Sequence, residues 1–379
     1  MTKQLNSSEV KLSAQTWMSS LPQIYKNQPQ TEIIRRGLEA KSKLGDDVII
    51  LAHHYQCDET YSFSDLSGDS LYLARQAAKT SAKFIIFCGV HFMAESSDIL
   101  TNDDQITILP EFTAGCEMAD MAKTGEVEKC LDYLTDVCGI DSFIPITYIN
   151  STASLKALCG RHNGTVCTSS NSHKILKWAA DKGKRVLFVP DQHLGRNTAN
   201  ALGIPKHKIK VWDRNSENGD LSREEILDSQ IILWNGCCPV HCHFKIEEIR
   251  KLRESHPDIK VIVHPECPEE ILAESDYSGS TDGIIKTIKD STSFNHWAIG
   301  TESNLVRRLA KNLSQSHGKR IEFINEKTCV CDSMNITRPE HVTWILENLL
   351  EGNILNKITV ANDIKQDAKI ALNRMLDLS

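Results

Sequence analysis

Thirteen cysteines occur in the 379-residue chain, and three of them (Cys237, Cys238, Cys242) sit with His241 and His243 in the segment WNGCCPVHCHF, residues 234–244. Thiolate and imidazole are the ligands of zinc, but closed zinc sites combine two separated ligand pairs. No second pair lies nearby, and the compact ferredoxin spacings and a C-x3-C-x2-C triad are both absent. The segment is therefore not a complete metal site by itself. Other chemistry-capable residues end apolar runs: His53, His54 and Tyr55 in HHY, Tyr148 and Asn150 in YIN, Asp191 and His193 in DQH, and His264 and Glu266 in HPE. A carboxylate placed after an apolar strand and beside a histidine suits a proton-transfer base or a ligand contact. Ser70, Ser169 and Thr281 fall where helical segments begin, and free backbone N–H groups there favour anions such as carboxylates or a phosphate.

The elements that must position these groups are short β-branched runs. VIILAHH (48–54), FIIFCG (84–89), ITIL (106–109), IPITYIN (144–150), VLFVP (186–190), IILW (231–234), VIVHP (261–265) and IEFIN (321–325) alternate with helix-like segments such as SLYLARQAAKTSAK, NSHKILKWAADKGK and DGIIKTIKDS. This alternation predicts an α/β fold of parallel sheets covered by helices, with ligand groups beyond the carboxyl ends of the strands.

The pattern repeats. Ser70 follows His53 by 17 residues and closes DLSGDS (65–70); Thr281 follows His264 by 17 and closes DYSGST (276–281). TAGCEM places Cys116 three residues after Thr113, and TCVCDSM places Cys331 three after Thr328; in the looser middle third Cys238 follows Asn235 by three. Three related α/β units follow, at residues 48–125, 126–245 and 246–340, with an extension at 1–47, a helical tail at 341–379, and a surface loop or short helical excursion inserted near 197–230. One cysteine per unit, Cys116, Cys238 and Cys331, separated by 122 and 93 residues, could meet about a pseudo-threefold axis. Three thiolates suit one 4Fe-4S cluster whose fourth iron is open and able to hold a substrate hydroxyl or carboxylate as a Lewis acid. Cys237, Cys242, His241 and His243 are left to packing or to places behind the ligands, and Cys329 and Cys237, each beside a proposed ligand, are ambiguous.

Composition limits the alternatives. A net charge of -7 with no basic patch argues against nucleic acid and for a small-molecule partner. MTKQLNSSEVKLSAQTW lacks the apolar core of a secretory signal and no apolar run is long enough to cross a bilayer, which predicts a cytoplasmic protein with reduced thiols and no membrane partner. A zinc-dependent hydrolase built on 237–243 and HPE, and an iron–sulfur sensor or binding protein, remain as competing readings.

HHYQ, GDSLYLAR, GVHFMAE, the C-x-M-A-D of Cys116 to Asp120, YINS, CTSSN, VPDQHLGRN, W-N-G-x-C-x-V-H, HPEC, GST and the late C-x-x-M together resemble the quinolinate synthase family, in order and spacing, from about residue 48 to 336. The resemblance implies three homologous αβα domains around a pseudo-threefold axis, with the active site at their junction. It implies condensation of iminoaspartate (iminosuccinate) with dihydroxyacetone phosphate to quinolinate, phosphate and water in de novo NAD biosynthesis, with L-aspartate oxidase as the source of iminoaspartate. By the same likeness Cys116, Cys238 and Cys331 hold the 4Fe-4S cluster, Met334 selecting Cys331 over Cys329. Substrate would be held by His53, Ser70, Tyr148, Asn150, Ser169, His264, Glu266 and Thr281, with Glu266, Tyr148, Tyr55 and His53 in the chemistry. A homodimer is suggested by family analogy alone.

Overall fold

The computed structural model describes residues 21–325 and 329–379; most of the N-terminal extension (1–20) and Thr328 lie outside the described residues. Among the described residues thirteen strands form three sheets, and every strand pair within these sheets is parallel.

The first sheet contains β1 (Val48–His53), β2 (Leu66–Gly68), β3 (Phe84–Cys88) and β4 (Ile106–Ile108), in the order β2-β1-β3-β4. The second contains β5 (Phe143–Tyr148), β6 (Thr165–Cys167), β7 (Arg185–Val189), β8 (Ile209–Trp212) and β9 (Ile231–Trp234), ordered β6-β5-β7-β9-β8. The third contains β10 (Lys260–Val263), β11 (Tyr277–Ser278), β12 (His296–Gly300) and β13 (Arg320–Phe323), ordered β11-β10-β12-β13. The first and third sheets share one strand order. In the second, β9 takes the place of the fourth strand and β8 is added at its edge.

The repeated strand order rests on repeated hydrogen bonds. Asp65 Oδ2 accepts from Ile50 N (2.8 Å) while Asp65 N donates to Ile50 O (2.9 Å); Asp276 Oδ2 accepts from Val261 N (2.9 Å) while Asp276 N donates to Val261 O (2.9 Å). The first aspartate of each hexad thus fastens a very short edge strand to the central one, whose histidine follows three residues later. Those edge strands, β2 and β11, are invisible as apolar runs because edge pairing needs backbone only. The hexads end where the helices Ser70–Lys79 and Thr281–Asp290 begin.

The eight apolar runs all become strands; β1, β3 and β5 are buried on both faces as in covered parallel sheets, while the edge strand β13 is only partly buried. Residues 197–230 differ from the expected loop or helical excursion. They complete the helix Gln192–Ala201, add β8 and form the helix Arg223–Asp228, with Trp212 buried in the second-sheet core beside Trp234, Leu187 and Val189. The polar residues on either side conceal a short strand whose Ile209 and Trp212 are buried.

The chain divides into two compact units. One holds the described residues up to 68, 72–116 and 331–359; the other holds 69–71, 117–330 and 360–379. In the first unit the helices Gln30–Leu44 and Pro339–Leu350 cover the first sheet, where Ala40, Val342, Ile345 and Leu346 pack with Ile50, Ala52, Ile86 and Ile108. Burying each of the larger apolar chains contributes roughly 1.5–3 kcal/mol. Arg36 clamps Glu347 across that helix pair through two bonds of 2.6 and 2.9 Å. In the second unit the helix Asn362–Asp377 lies on the helix Ala153–Arg161 and strand β6, and Thr165 Oγ1 donates to Ala371 O (3.1 Å). Gly160 permits that approach, since a Cβ there would stand 2.0 Å from Asp367 O.

Among the described residues no helix is long and apolar enough to cross a membrane.

Candidate functional site

His53, Tyr148 and His264 occupy equivalent places, at or just beyond the carboxyl ends of β1, β5 and β10. Each of these strands is where its sheet's order reverses, and such ends are where open α/β sheets bind ligands. All three side chains are buried. The two histidines are fixed alike: Tyr55 N donates to His53 Nδ1 (3.2 Å), and Glu266 N donates to His264 Nδ1 (3.3 Å). With Nδ1 an acceptor, a neutral imidazole carries its proton on Nε2, a tautomer assigned from this bonding pattern. Both rings therefore offer an Nε2–H donor. Tyr55 stands edge-on to His53, ring centroids 4.6 Å apart.

Glu266 is the centre of a buried polar group in the second unit. His241 Nδ1 lies 2.8 Å from Glu266 Oε2, and because a carboxylate only accepts, Nδ1 donates. His241 Nε2 lies 3.2 Å from Thr301 Oγ1. The Tyr148 hydroxyl also bonds Glu266. His264 stacks on His241, ring centroids 4.4 Å apart and 13° from parallel. Burial pushes His264 down to about 3, so that it is neutral at ordinary pH. Burial opposes ionisation of Glu266, but the neighbouring histidines and the bonds from His241 and Tyr148 outweigh it and hold its carboxyl below the usual carboxylate range. With His264 neutral, the hydrogen bonds carry that direction.

Cys238 sits beside this group: its sulfur, a ring nitrogen of His241 and a carboxylate oxygen of Glu266 all lie within 4.8 Å of one another. Asp191 holds the Cys238 turn in place, accepting from Cys238 N (3.1 Å) and, as the cap of the helix Gln192–Ala201, from Leu194 N (2.7 Å). It is fully buried, and burial and the charge of Glu266 push its carboxyl up. His241, assigned above to packing or a place behind the ligands, is a direct hydrogen-bond partner of Glu266. Its i+3 spacing from Cys238 on one short helical turn was the available signal.

Cys238, Cys116 and Cys331 share a position. Each immediately precedes a four-residue helix, Pro239–Cys242, Glu117–Asp120 and Asp332–Asn335 respectively, and each is partly exposed. Seven other cysteines are buried, among them Cys88, Cys130, Cys167 and Cys267, where burial pushes the thiol up. Cys329 is one of the seven, its sulfur donating to Asn325 O (2.7 Å). Cys116 and Cys331 belong to the first unit and Cys238 to the second.

The hydroxyl positions are less uniform than the sequence suggests. Ser70 and Thr281 are first residues of ten-residue helices, the latter capped by Ser280, whose Oγ accepts from Gly283 N (3.2 Å). Ser169 lies in the turn before the helix Ser172–Asp181, whose cap is Asn171. Its neighbour Ser170 donates to Asp69 Oδ2 (2.5 Å), which brings that turn against the residue preceding Ser70. The Asn150 carboxamide oxygen is buried and has no hydrogen-bond partner among the described residues.

A family model described as "Quinolinate synthetase A protein" matches residues 37–377 of the chain. The chain belongs to that family. Similar relatives are the quinolinate synthase of Streptomyces coelicolor, 47% identical over 92% of this chain and 88% of the relative, and that of Herpetosiphon aurantiacus, 48% identical over 92% and 93%. The quinolinate synthase of Bacillus cereus is 47% identical over 94% of this chain and 96% of its own length. Membership thus spans all three sheets.

Proposed function

We propose that the protein is a 4Fe-4S-dependent quinolinate synthase, condensing iminoaspartate with dihydroxyacetone phosphate for NAD biosynthesis in the cytoplasm. The observation that carries this reading is the juxtaposition of the Cys238 sulfur with the Glu266–His241 pair in a member of this family. Cys116, Cys238 and Cys331 are the proposed ligands. Their fit rests on a shared local setting: of the six partly exposed cysteines, these three directly precede a four-residue helix, whereas Cys138 and Cys242 end helices and Cys237 does not adjoin one. When bound, the cluster supplies an open iron as Lewis acid for a substrate hydroxyl or carboxylate.

The side chains have the proton transfers to perform. Ser70, Ser169 and Thr281, with N–H groups at the starts of their helices, hold the carboxylates of the C4 imine and the phosphate of the C3 sugar. Asn150, with its unpartnered acceptor oxygen, receives an N–H or O–H from substrate. His53 and His264 donate from Nε2 to carbonyl or carboxylate oxygens and fix their orientation. Glu266, ionised in the ligand-free protein, becomes more basic when substrate carboxylates enter beside it, because like charges favour its neutral form. It then takes a proton from a substrate carbon and returns it through the Tyr148 hydroxyl during isomerisation and ring closure. Tyr55, packed on His53, closes over the bound substrate.

The reading is tested by incubating anaerobically purified protein with freshly generated iminoaspartate and dihydroxyacetone phosphate. Quinolinate should form. A protein that holds its iron and sulfide yet makes none would be a sensor or binding module instead.

A further inference from the structure

Two cysteines of the 237–242 segment take no part in the site above, and they converge on a histidine from another element. We infer that His193, Cys237 and Cys242 form a second metal site, for a soft divalent cation of the zinc type. One Sγ from each cysteine and a ring nitrogen of His193 lie within 4.8 Å of one another.

The backbone builds this cluster from two strand ends. His193 is in the first turn of the helix Gln192–Ala201, directly after β7, and Cys237 follows β9, the neighbouring strand. Beyond the sheet the two segments stay joined: Asp191 pairs with Gly236 in a parallel bridge, and Gln192 N donates to Gly236 O (2.9 Å). The turn Pro239–Cys242, closed by Cys242 N donating to Cys238 O (3.0 Å), then folds the chain back so that Cys242 returns to Cys237. Consecutive residues thus face different groups. Cys238 and His241 join Glu266, while Cys237 and Cys242 join His193.

The donor set fits the proposed ion. Two thiolates and one neutral imidazole are the ligands of open zinc sites, and four intervening residues between the cysteines are within the spacing zinc proteins use. Tetrahedral coordination at normal zinc distances puts donor atoms roughly 3.5–3.8 Å apart, a spacing compatible with the 4.8 Å within which the three donors lie. All three residues are partly exposed, which leaves the fourth position to water or an added ligand. Two thiolates neutralise a divalent charge, and binding releases the two thiol protons.

The test uses full-length, anaerobically purified protein of measured iron content, titrated with Co2+ alone and read by absorption. Wild type should bind one equivalent with thiolate charge-transfer and tetrahedral d–d bands, and Zn2+ should displace it. Cys242→Ser and Cys237→Ser should each lose about half or more of the charge-transfer intensity, and His193→Ala should weaken affinity at least about tenfold. The iron content of Cys242→Ser should stay at the wild-type level. An unchanged Co2+ spectrum in Cys242→Ser overturns the inference, as does a spectrum abolished by Cys238→Ala alone, which would put the ion with His241 and Glu266. Iron is read separately, so failure of this site and failure of the iron–sulfur reading are distinguishable.

Discussion

Glu266 and His241 are bound to each other at 2.8 Å, and neither side chain is appreciably exposed. A buried carboxylate so held stays ionised and keeps one orientation, which a base acting on carbon requires. Glu266→Gln preserves size and should leave iron content and thermal unfolding close to wild type, while the rate of quinolinate formation falls by about 10²–10⁴-fold. Near-normal turnover would remove Glu266 from the chemistry.

His241 is a positioning residue in this scheme. His241→Ala takes a donor from the carboxylate, so the Glu266 pKa rises and the acid limb of the kcat profile should move to higher pH. A loss of activity uniform across pH would point to a merely structural role.

His264 gives the protein a pH-dependent stability of known sign. Its folded pKa, pushed down to about 3, lies below the ordinary histidine value of about 6.5. Between those values the unfolded chain binds a proton that the native state does not, so stability falls as pH drops through that window, by at most about 1.4 kcal/mol per pH unit. Glu266, held below the usual carboxylate range, contributes stability that is present above the ordinary carboxylate value of about 4.3 and lost only as pH falls from there. Between pH 7 and pH 5 the Glu266 contribution is constant, and the difference in denaturant unfolding between wild type and a His264 variant isolates this histidine from the other titrating groups. Wild type should lose more stability over that interval than His264→Asn; equal losses would contradict the assigned burial.

The repeated aspartates invite a paired experiment. Asp65→Ala and Asp276→Ala each strip a buried strand N–H of its partner and should each destabilise by about 1–3 kcal/mol. Denaturant midpoints should fall in both. A neutral result in one alone would show that the two hexads are alike in sequence but not in role.

Gly160→Ala should separate packing from chemistry. The added methyl meets the Asp367 carbonyl and must push the helix Asn362–Asp377 outward, at about 1–3 kcal/mol. Faster proteolysis of the C-terminal helix should accompany unchanged iron content.

Much of this architecture is legible in the sequence. Parallel strands buried on both faces read as continuous apolar runs, so the sheets were visible, and the regular offset from His53 to Ser70 and from His264 to Thr281 exposed the repeat. What was hidden is backbone-driven or long-range. Edge strands β2 and β11 need few apolar side chains, and β8 is only four residues long, its buried Ile209 and Trp212 set between polar segments. The Glu266 group joins β5, β10 and the 239–242 turn, and only the folded chain shows that His241 faces Glu266 while Cys242 faces His193. Crowding along the chain misled, because neighbours at 237 and 238 point to separate groups.

The most direct test of the central claim is the iron and acid-labile sulfide content of single cysteine variants purified without oxygen. Cys116→Ala, Cys238→Ala and Cys331→Ala should each lose the 4Fe-4S stoichiometry together with quinolinate formation, whereas Cys329→Ala and Cys242→Ala should keep the cluster. A cluster that survives in Cys238→Ala, or that disappears in Cys329→Ala but not in Cys331→Ala, would contradict the ligand set proposed for this chain.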